Sequence, residues 1–274
     1  MSESGGGAWQ RTWLPGFSLA WRETKHFFRQ RGRVIGAIGT PVLFWLFIGG
    51  GIGSSFSTEA LTGSDNYLEY FFPGTLALVL LFTALFSMIS LIKERNEGFL
   101  QSVLVAPMSR QGVVLGKVLG CTILASIQGF LVLALAPVAG IPIGLGSLAL
   151  VVPLVIVISF ALASFGFVFA WNSESIQSFH SVMNLILFPM WLLSGALFPA
   201  SGAASWLGWL IHLNPLSYGV AALRRAMLPP EVLADSAIPS MGLSVAVTIV
   251  FALASFVASA VLVHRSSVGG KALT

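Results

Sequence analysis

Residues 70–96 read YFFPGTLALVLLFTALFSMISLIKERN. No Lys, Arg, Asp or Glu occurs between Tyr70 and Ile92, and then Lys93, Glu94 and Arg95 arrive together. A helix rises ~1.5 Å per residue, so roughly 20 apolar residues cross the ~30 Å hydrocarbon layer of a bilayer. The sudden return of charge marks where such a helix meets water. This one stretch therefore predicts a helix whose solvent is lipid.

The pattern repeats outward from there. Six apolar windows of spanning length emerge, approximately Val34–Phe56, Tyr70–Ile92, Val113–Pro137, Leu148–Trp171, Phe179–Phe198 and Met241–His264. The whole chain of 274 residues is 56% hydrophobic and 9% charged, with mean hydropathy +0.89. Soluble domains carry about 25% charged residues, and so little charge could not cover a water-facing globule. A soluble enzyme is excluded on that ground. Cys121 is the single cysteine, which excludes a disulfide framework. The expected fold is an all-α membrane protein. It has an interfacial helix over 1–33, a six-helix transmembrane domain over 34–264 and a tail over 265–274.

Ser201–Leu228 is less regular, with apolar Trp206–Leu213 too short to cross and Pro199, Pro215, Pro229, Pro230 and Pro239 punctuating the region. It reads as one or two short re-entrant helices, which need protein cover for their freed backbone groups. A seventh span is the competing reading. The 33-residue charged leader lacks a small-residue cleavage site at the usual distance, so the first span is expected to be retained.

Every Lys and Arg except Arg224 and Arg225 falls before the first window, around the second connection or after the last window. The positive-inside rule then places both termini in the cytoplasm. Trp9, Trp13, Trp21, Phe27 and Phe28 are interleaved with Arg11, Arg22, Lys25, Arg29, Arg31 and Arg33. Aromatic rings sit at headgroup depth while cations meet anionic lipid, so this leader reads as a helix in the cytoplasmic interface. An ordinary basic leader is the alternative.

Several chemistries are missing. No ionisable residue is central to a window, whereas ion-coupled transporters place relays there. His26, His180, His212 and His264 are scattered and lack metal-ligand spacing. No G-x-S-x-G elbow occurs. Gly112-Val-Val-Leu-Gly116-Lys117-Val118 misses a phosphate loop by one residue and by the hydroxyl. Gly112, Gly116 and Gly120 instead form a small-xxx-small face for helix packing. No catalytic residue, metal site or cofactor is expected in this chain, and the net charge of +4 gives no reason to invoke nucleic acid.

The connection after the second window reads Lys93-Glu-Arg-Asn-Glu-Gly-Phe-Leu-Gln-Ser-Val-Leu-Val-Ala-Pro-Met-Ser-Arg110. Mixed charge opens it, then Phe99, Leu100, Val103 and Leu104 share one helical face until Pro107. A short amphipathic helix held on two membrane helices can dock in a partner's groove and carry motion inward. A connecting helix lying on the bilayer is the other reading.

This segment closely resembles the cytoplasmic coupling segment of ABC transporter permeases of the type 2 exporter class, which includes daunorubicin-resistance, nodulation-factor and polysaccharide-export permeases. Glu94, Arg95, Glu97, Gly98, Leu100, Pro107 and Arg110 match position by position. Asn184 with Pro189-Met-Trp-Leu-Leu-Ser-Gly-Ala-Leu-Phe-Pro199, then Leu213-Asn-Pro-Leu-Ser-Tyr218 and Arg224, is similar to the family's fifth span and external re-entrant helices.

The resemblance implies a half-transporter of the bacterial-type cytoplasmic membrane. A separate ABC ATP-binding subunit, carrying ATP and Mg, would dock on a coupling helix at about 93–107, with Glu94, Arg95, Glu97, Gly98, Phe99 and Leu100 as its contacts. A second permease chain would complete the pathway. Candidate lining residues are Phe71, Phe72, Phe82, Phe86, Asn184, Phe188, Met190 and Trp191, with helix packing as the other reading of the aromatic and methionine side chains; Arg224 and Arg225 are candidates for lipid headgroup or anionic substrate contact, with anchoring of a short helix as theirs. The implied cargo is an amphipathic drug, lipid or lipid-linked glycan. A secondary transporter or channel that needs no ATPase is the alternative.

Overall fold

A computed structural model of the chain describes residues 67–98, 110–197, 205–229 and 238–268, together with scattered positions between 18 and 51. Among the described residues there is no strand. The helices are α1 (Tyr67–Asn96), α2 (Arg110–Leu133), a 3-10 turn (Ala136–Ala139), α3 (Leu145–Asn172), α4 (Ile176–Val182), a π-turn (Met183–Leu187) and α5 (Phe188–Leu192). After them come α6 (Ser205–Leu213), α7 (Pro215–Met227) and α8 (Met241–Val268).

Four of these are long and apolar enough to cross a membrane: Tyr67–Asn96, Gln111–Leu133, Leu145–Asn172 and Met241–Arg265. They coincide with the second, third, fourth and sixth expected spans to within about four residues at each end, the usual latitude of helix termini. The first expected span lies largely outside the described residues. Where it is described, Trp45 packs edge-on against Phe72 at 5.5 Å and donates its Nε1–H to the Leu68 carbonyl at 3.2 Å.

The fifth expected span, Phe179–Phe198, is helical through Leu192 and irregular from Leu193 to Leu197, and Phe198 lies outside the described residues. Helical backbone runs from Ile176 to Leu192 through α4, the π-turn and α5, and then turns away. At ~1.5 Å per residue these 17 residues extend roughly 25 Å, the lower end of the length that crosses a bilayer. Pro189 supplies the local cause of the π-turn. It has no N–H to give Leu185, and its ring crowds that carbonyl. The backbone widens instead, and the Phe188 N–H bonds to the Met183 carbonyl five residues back. Past Leu192 the chain folds over at Gly195, whose φ of 75° lies in the left-handed region that glycine tolerates.

α1 is the central helix: 83% of its apolar window is buried, against 22% for α8, most of whose surface is exposed on the protomer. Between α1 and α2, Thr83 Oγ1 donates to Gln128 Oε1 at 2.5 Å. Gly112, Gly116 and Gly120 are all buried. The tightest approach shown on α2 is at Gly129, where a Cβ would stand 2.6 Å from Leu80 Cδ2 and 3.1 Å from Val155 Cγ1. α8 lies along α3 through a tilted Phe160–Phe256 ring contact at 5.4 Å and a Ser259 Oγ–H bond to the Ser164 carbonyl at 2.9 Å.

The region expected to be re-entrant holds α6 and α7, of 9 and 13 residues. Neither is long enough to span. Asn214 separates them. Its side chain accepts from the Leu216 N–H at 3.0 Å while Pro215 fills the first helical position, an N-cap and N1 pair that starts α7.

Candidate functional site

Two clusters of polar contacts hold opposite ends of the helical bundle. The charged end gathers the last turn of α1, the first turns of α2 and the end of α3. Glu94 Oε2 meets Lys117 Nζ at 2.5 Å, and Glu94 Oε1 accepts from the Arg22 guanidinium. Lys117 is only 1% exposed, and its Nζ also reaches Ser90 Oγ at 3.5 Å. A buried ammonium is tolerated only when paired and hydrogen-bonded, so Glu94 fixes how α2 sits against α1. Arg95 turns the other way and donates to the Trp171 carbonyl at 2.7 Å and to the Ser173 carbonyl. Those carbonyls end α3, where no further helical N–H reaches them and the helix dipole favours a cation.

α1 then stops. The Glu97 N–H bonds to the Lys93 carbonyl at 2.9 Å and the Gly98 N–H to the Arg95 carbonyl at 3.1 Å, with Gly98 at φ 75°. This left-handed glycine just past the helix is a common C-terminal stop. The expected coupling helix over 93–107 therefore starts differently: Lys93–Asn96 are the last turn of α1, and Glu97 and Gly98 form a turn. Phe99, Leu100 and Pro107 lie outside the described residues. Glu97 is exposed, whereas Glu94 is enclosed by its two cations.

The opposite end closes over the turn that follows α5. Gly74 lies so close to it that a Cβ would stand 2.5 Å from Ala196 Cβ and 2.8 Å from its Cα. Trp191 Nε1–H donates to the Gly74 carbonyl at 2.8 Å. The carbonyls freed by the irregular backbone are then collected by side chains. Asn214 Nδ2 takes Met190 O at 2.5 Å, Tyr67 Oη takes Leu197 O at 2.7 Å and Arg224 Nη2 takes Gly195 O at 2.9 Å. Ser217 Oγ reaches Leu193 O at 3.3 Å. Broken helix at membrane depth requires cover of this kind.

Several expected site residues fall in or beside this arrangement. Arg224 is 3% exposed and its guanidinium lies 4.0 Å over the Tyr70 ring, so it faces the interior of the protomer. Arg225 is half-buried and donates to the Pro239 and Ile238 carbonyls at 2.6 and 2.8 Å, tying α7 to the start of α8. Of the candidate lining residues, Phe71, Phe72 and Trp191 are at most 1% exposed and pack in the core, where they line no surface of the protomer. The others sit differently. Phe82 and Phe86 are half-buried and stacked at 5.6 Å, Phe86 lies 6.1 Å from His180, and Met190 is half-buried. Asn184 and Phe188 are exposed.

The helical run from Ile176 to Leu192 is two-faced. Phe179, Met183, Leu187 and Trp191 are buried at every fourth position, while Gln177, Ser181, Asn184, Leu185 and Phe188 face outward. Leu185 is 77% exposed. Hydropathy alone did not single out Gln177 and Ser181, although their four-residue spacing to each other and three-residue spacing to Asn184 carried the signal. The ion pairs of Lys117 and Arg22 with Glu94 are not marked by any motif in the sequence. A lysine seven positions into an apolar helix already called for a buried partner.

The ABC-2 type transporter family model matches residues 16–228. The chain is 28% identical over 193 residues to the protein named "Putative transport permease ycf38" of Cyanophora paradoxa, covering 70% of this chain and 66% of that protein. It is 23% identical over 264 residues to Nodulation protein J of Rhizobium leguminosarum bv. viciae, covering 96% of each. It is 27% identical over 155 residues to the "Probable multidrug ABC transporter permease YbhR" of Escherichia coli K12, covering 56% of this chain and 42% of that protein. The chain is a multi-pass membrane protein that belongs to the ABC-2 type transporter family.

Proposed function

We propose that this permease is the membrane half of an ATP-driven exporter for an amphipathic drug, lipid or lipid-linked glycan. Two copies form the working pathway in a bacterial-type cytoplasmic membrane, with both termini in the cytoplasm. A separate ATP-binding subunit, which holds the ATP and Mg, docks on the segment that begins at Glu97 and Gly98 and continues through Phe99 and Leu100.

The observation that carries this reading is the clamp at the charged end. Glu94 joins α1 to α2 through Lys117, and Arg95 joins α1 to the end of α3. A push delivered beyond Gly98 therefore reaches three helices together. The membrane interior needs no ionisable relay of its own if free energy arrives as motion. The outward face of Gln177, Ser181, Asn184 and Phe188 supplies the surface for the second copy and for cargo, with Phe82 and Phe86 beside it. Its mixed polar and aromatic character suits a molecule with both a polar head and an apolar body.

Gentle purification of the tagged chain is expected to bring an ATP-binding subunit with it, and the pair reconstituted in vesicles is expected to move cargo only with ATP. Transport by the chain alone, without nucleotide, would establish a secondary transporter or channel instead. No transport with the bound ATPase present would sink the exporter reading.

A further inference from the structure

The contact between Arg22 and Glu94 links the described N-terminal helical residues to the last turn of α1. Ser18, Ala20, Trp21, Arg22, Thr24, Lys25, Arg29 and Gly32 are helical. Ala20 is buried at 1% exposure, whereas Trp21 is 71% exposed and Lys25 and Arg29 are exposed as well. Trp21, Lys25 and Arg29 follow one another at four-residue spacing, which aligns them along one side of a helix. An indole in line with two cations is chemistry for the headgroup layer: the ring settles at that depth while the cations attract negative charge. An acidic protein surface would use the cations but would leave the indole without its layer.

Arg22 sits beside this line and reaches inward. Its side chain is 40% exposed, and it is paired with Glu94, the carboxylate that also holds buried Lys117. Position at the membrane surface and position of the α1 terminus are thus joined through one carboxylate.

We infer that Trp21, Lys25 and Arg29 dock on the anionic headgroups of the membrane surface, and that Arg22–Glu94–Lys117 transmits this docking to the Glu97–Gly98 turn. Anionic lipid is then a regulator of the coupling segment. The inference rests on the permease reading for its consequence, but the lipid contact and its transmission are properties of the chain alone.

Both parts can be tested on the purified full-length chain. In detergent micelles doped with phosphatidylglycerol the thermal midpoint should rise, and phosphatidylcholine should not raise it. Each basic residue near an anionic surface contributes a factor of about five in affinity. The Lys25→Gln, Arg29→Gln double variant should therefore need on the order of 20-fold more phosphatidylglycerol for half the shift. Transmission is read with a spin label on Glu97→Cys, since Cys121 is buried. The label's mobility should differ between phosphatidylcholine vesicles and vesicles containing phosphatidylglycerol. That difference should vanish in Arg22→Gln and in the double variant. Equal responses to both lipids overturn the docking claim, and a lipid response that survives Arg22→Gln overturns the transmission. If the double variant instead loses a co-purifying ATPase and keeps its lipid response, the basic face belongs to the protein partner. Failure of the permease reading would show separately, as absence of any ATPase partner from the wild-type chain.

Discussion

The two ends of this bundle solve the same problem with different chemistry. At the charged end, Glu94, Lys117 and Arg22 hold helices together by opposite charges, and Arg95 caps α3. At the other end the contacts around Gly195 are made to backbone carbonyls, by Tyr67, Trp191, Asn214, Ser217 and Arg224. Charge pairs tolerate some change of distance, because Coulomb attraction falls slowly with separation. Hydrogen bonds to fixed carbonyls do not, since they weaken steeply with angle and length. The first end is thus the more tolerant of small changes in helix spacing, and the second the more rigidly fixed.

The largest effect is expected where a charge would be stranded. Glu94→Gln leaves the Lys117 ammonium, 1% exposed, without its counter-charge. Removing one partner of a buried pair costs about 3–5 kcal/mol, which should show as a sharp fall in thermal midpoint and in yield. Adding Lys117→Met should restore most of the loss, because no buried cation is then left without its counter-charge. If the single variant melts with the wild type, the charged end is not held by this pair.

At the other end, steric contact replaces charge. Gly74→Ala would set a Cβ 2.5 Å from Ala196 Cβ and 3.1 Å from its carbonyl oxygen, with backbone atoms on the far side that cannot rotate away. Overpacking of this kind costs about 2 kcal/mol. Adding Ala196→Gly should recover only part of it, because the Cα at 2.8 Å remains. Thermal denaturation of the single and double variants checks both statements.

What the sequence made readable follows the same division. Apolar windows bounded by charge located α1, α2, α3 and α8, since a span is a property of composition over some 20 residues. The paired short helices α6 and α7 were signalled by Pro215 and Asn214. The early end of the fifth helix was not, because Leu193, Ala196, Leu197 and Phe198 are as apolar as a span and hydropathy ignores backbone direction. Pro189 and Gly195 were its only local markers. Among the site residues, aromatic type suggested lining roles for Phe71, Phe72 and Trp191. Burial shows them to be packing, and only three-dimensional placement distinguishes the two. The mixed charges of Lys93–Glu97 were found as a group, but which carboxylate serves the fold and which faces outward depends on Lys117, 23 positions beyond Glu94 in sequence and adjacent in space.

A smaller loss is expected from Trp191→Phe. The ring that lies 6.4 Å from Phe71 is retained in type, while the Nε1–H bond to the Gly74 carbonyl is lost. One neutral hydrogen bond is worth about 1 kcal/mol. Combined with Gly74→Ala the two losses should not add, since both act on the same contact between α1 and the turn. Additivity in a double-mutant cycle would mean that the turn end is several independent contacts and not one closure.

Glu97→Lys should change stability least and therefore separates holding from transmitting. Glu97 is exposed one residue past α1, in the turn made by its own N–H and by Gly98. Surface substitutions of this kind stay within about 0.5 kcal/mol, so the thermal midpoint should match that of the wild type. Charge reversal at a docking surface acts instead on recognition of the partner. Co-purification of the ATP-binding subunit, and cargo-stimulated hydrolysis in the reconstituted pair, should both fall. Glu94→Lys, by contrast, should fail first at folding, because it places a third cation beside Arg22 and Lys117. Equal stability for the two reversals would erase the distinction between a carboxylate that builds the charged end and one that offers it to a partner. Unchanged ATPase capture by Glu97→Lys would move the docking contact away from this turn.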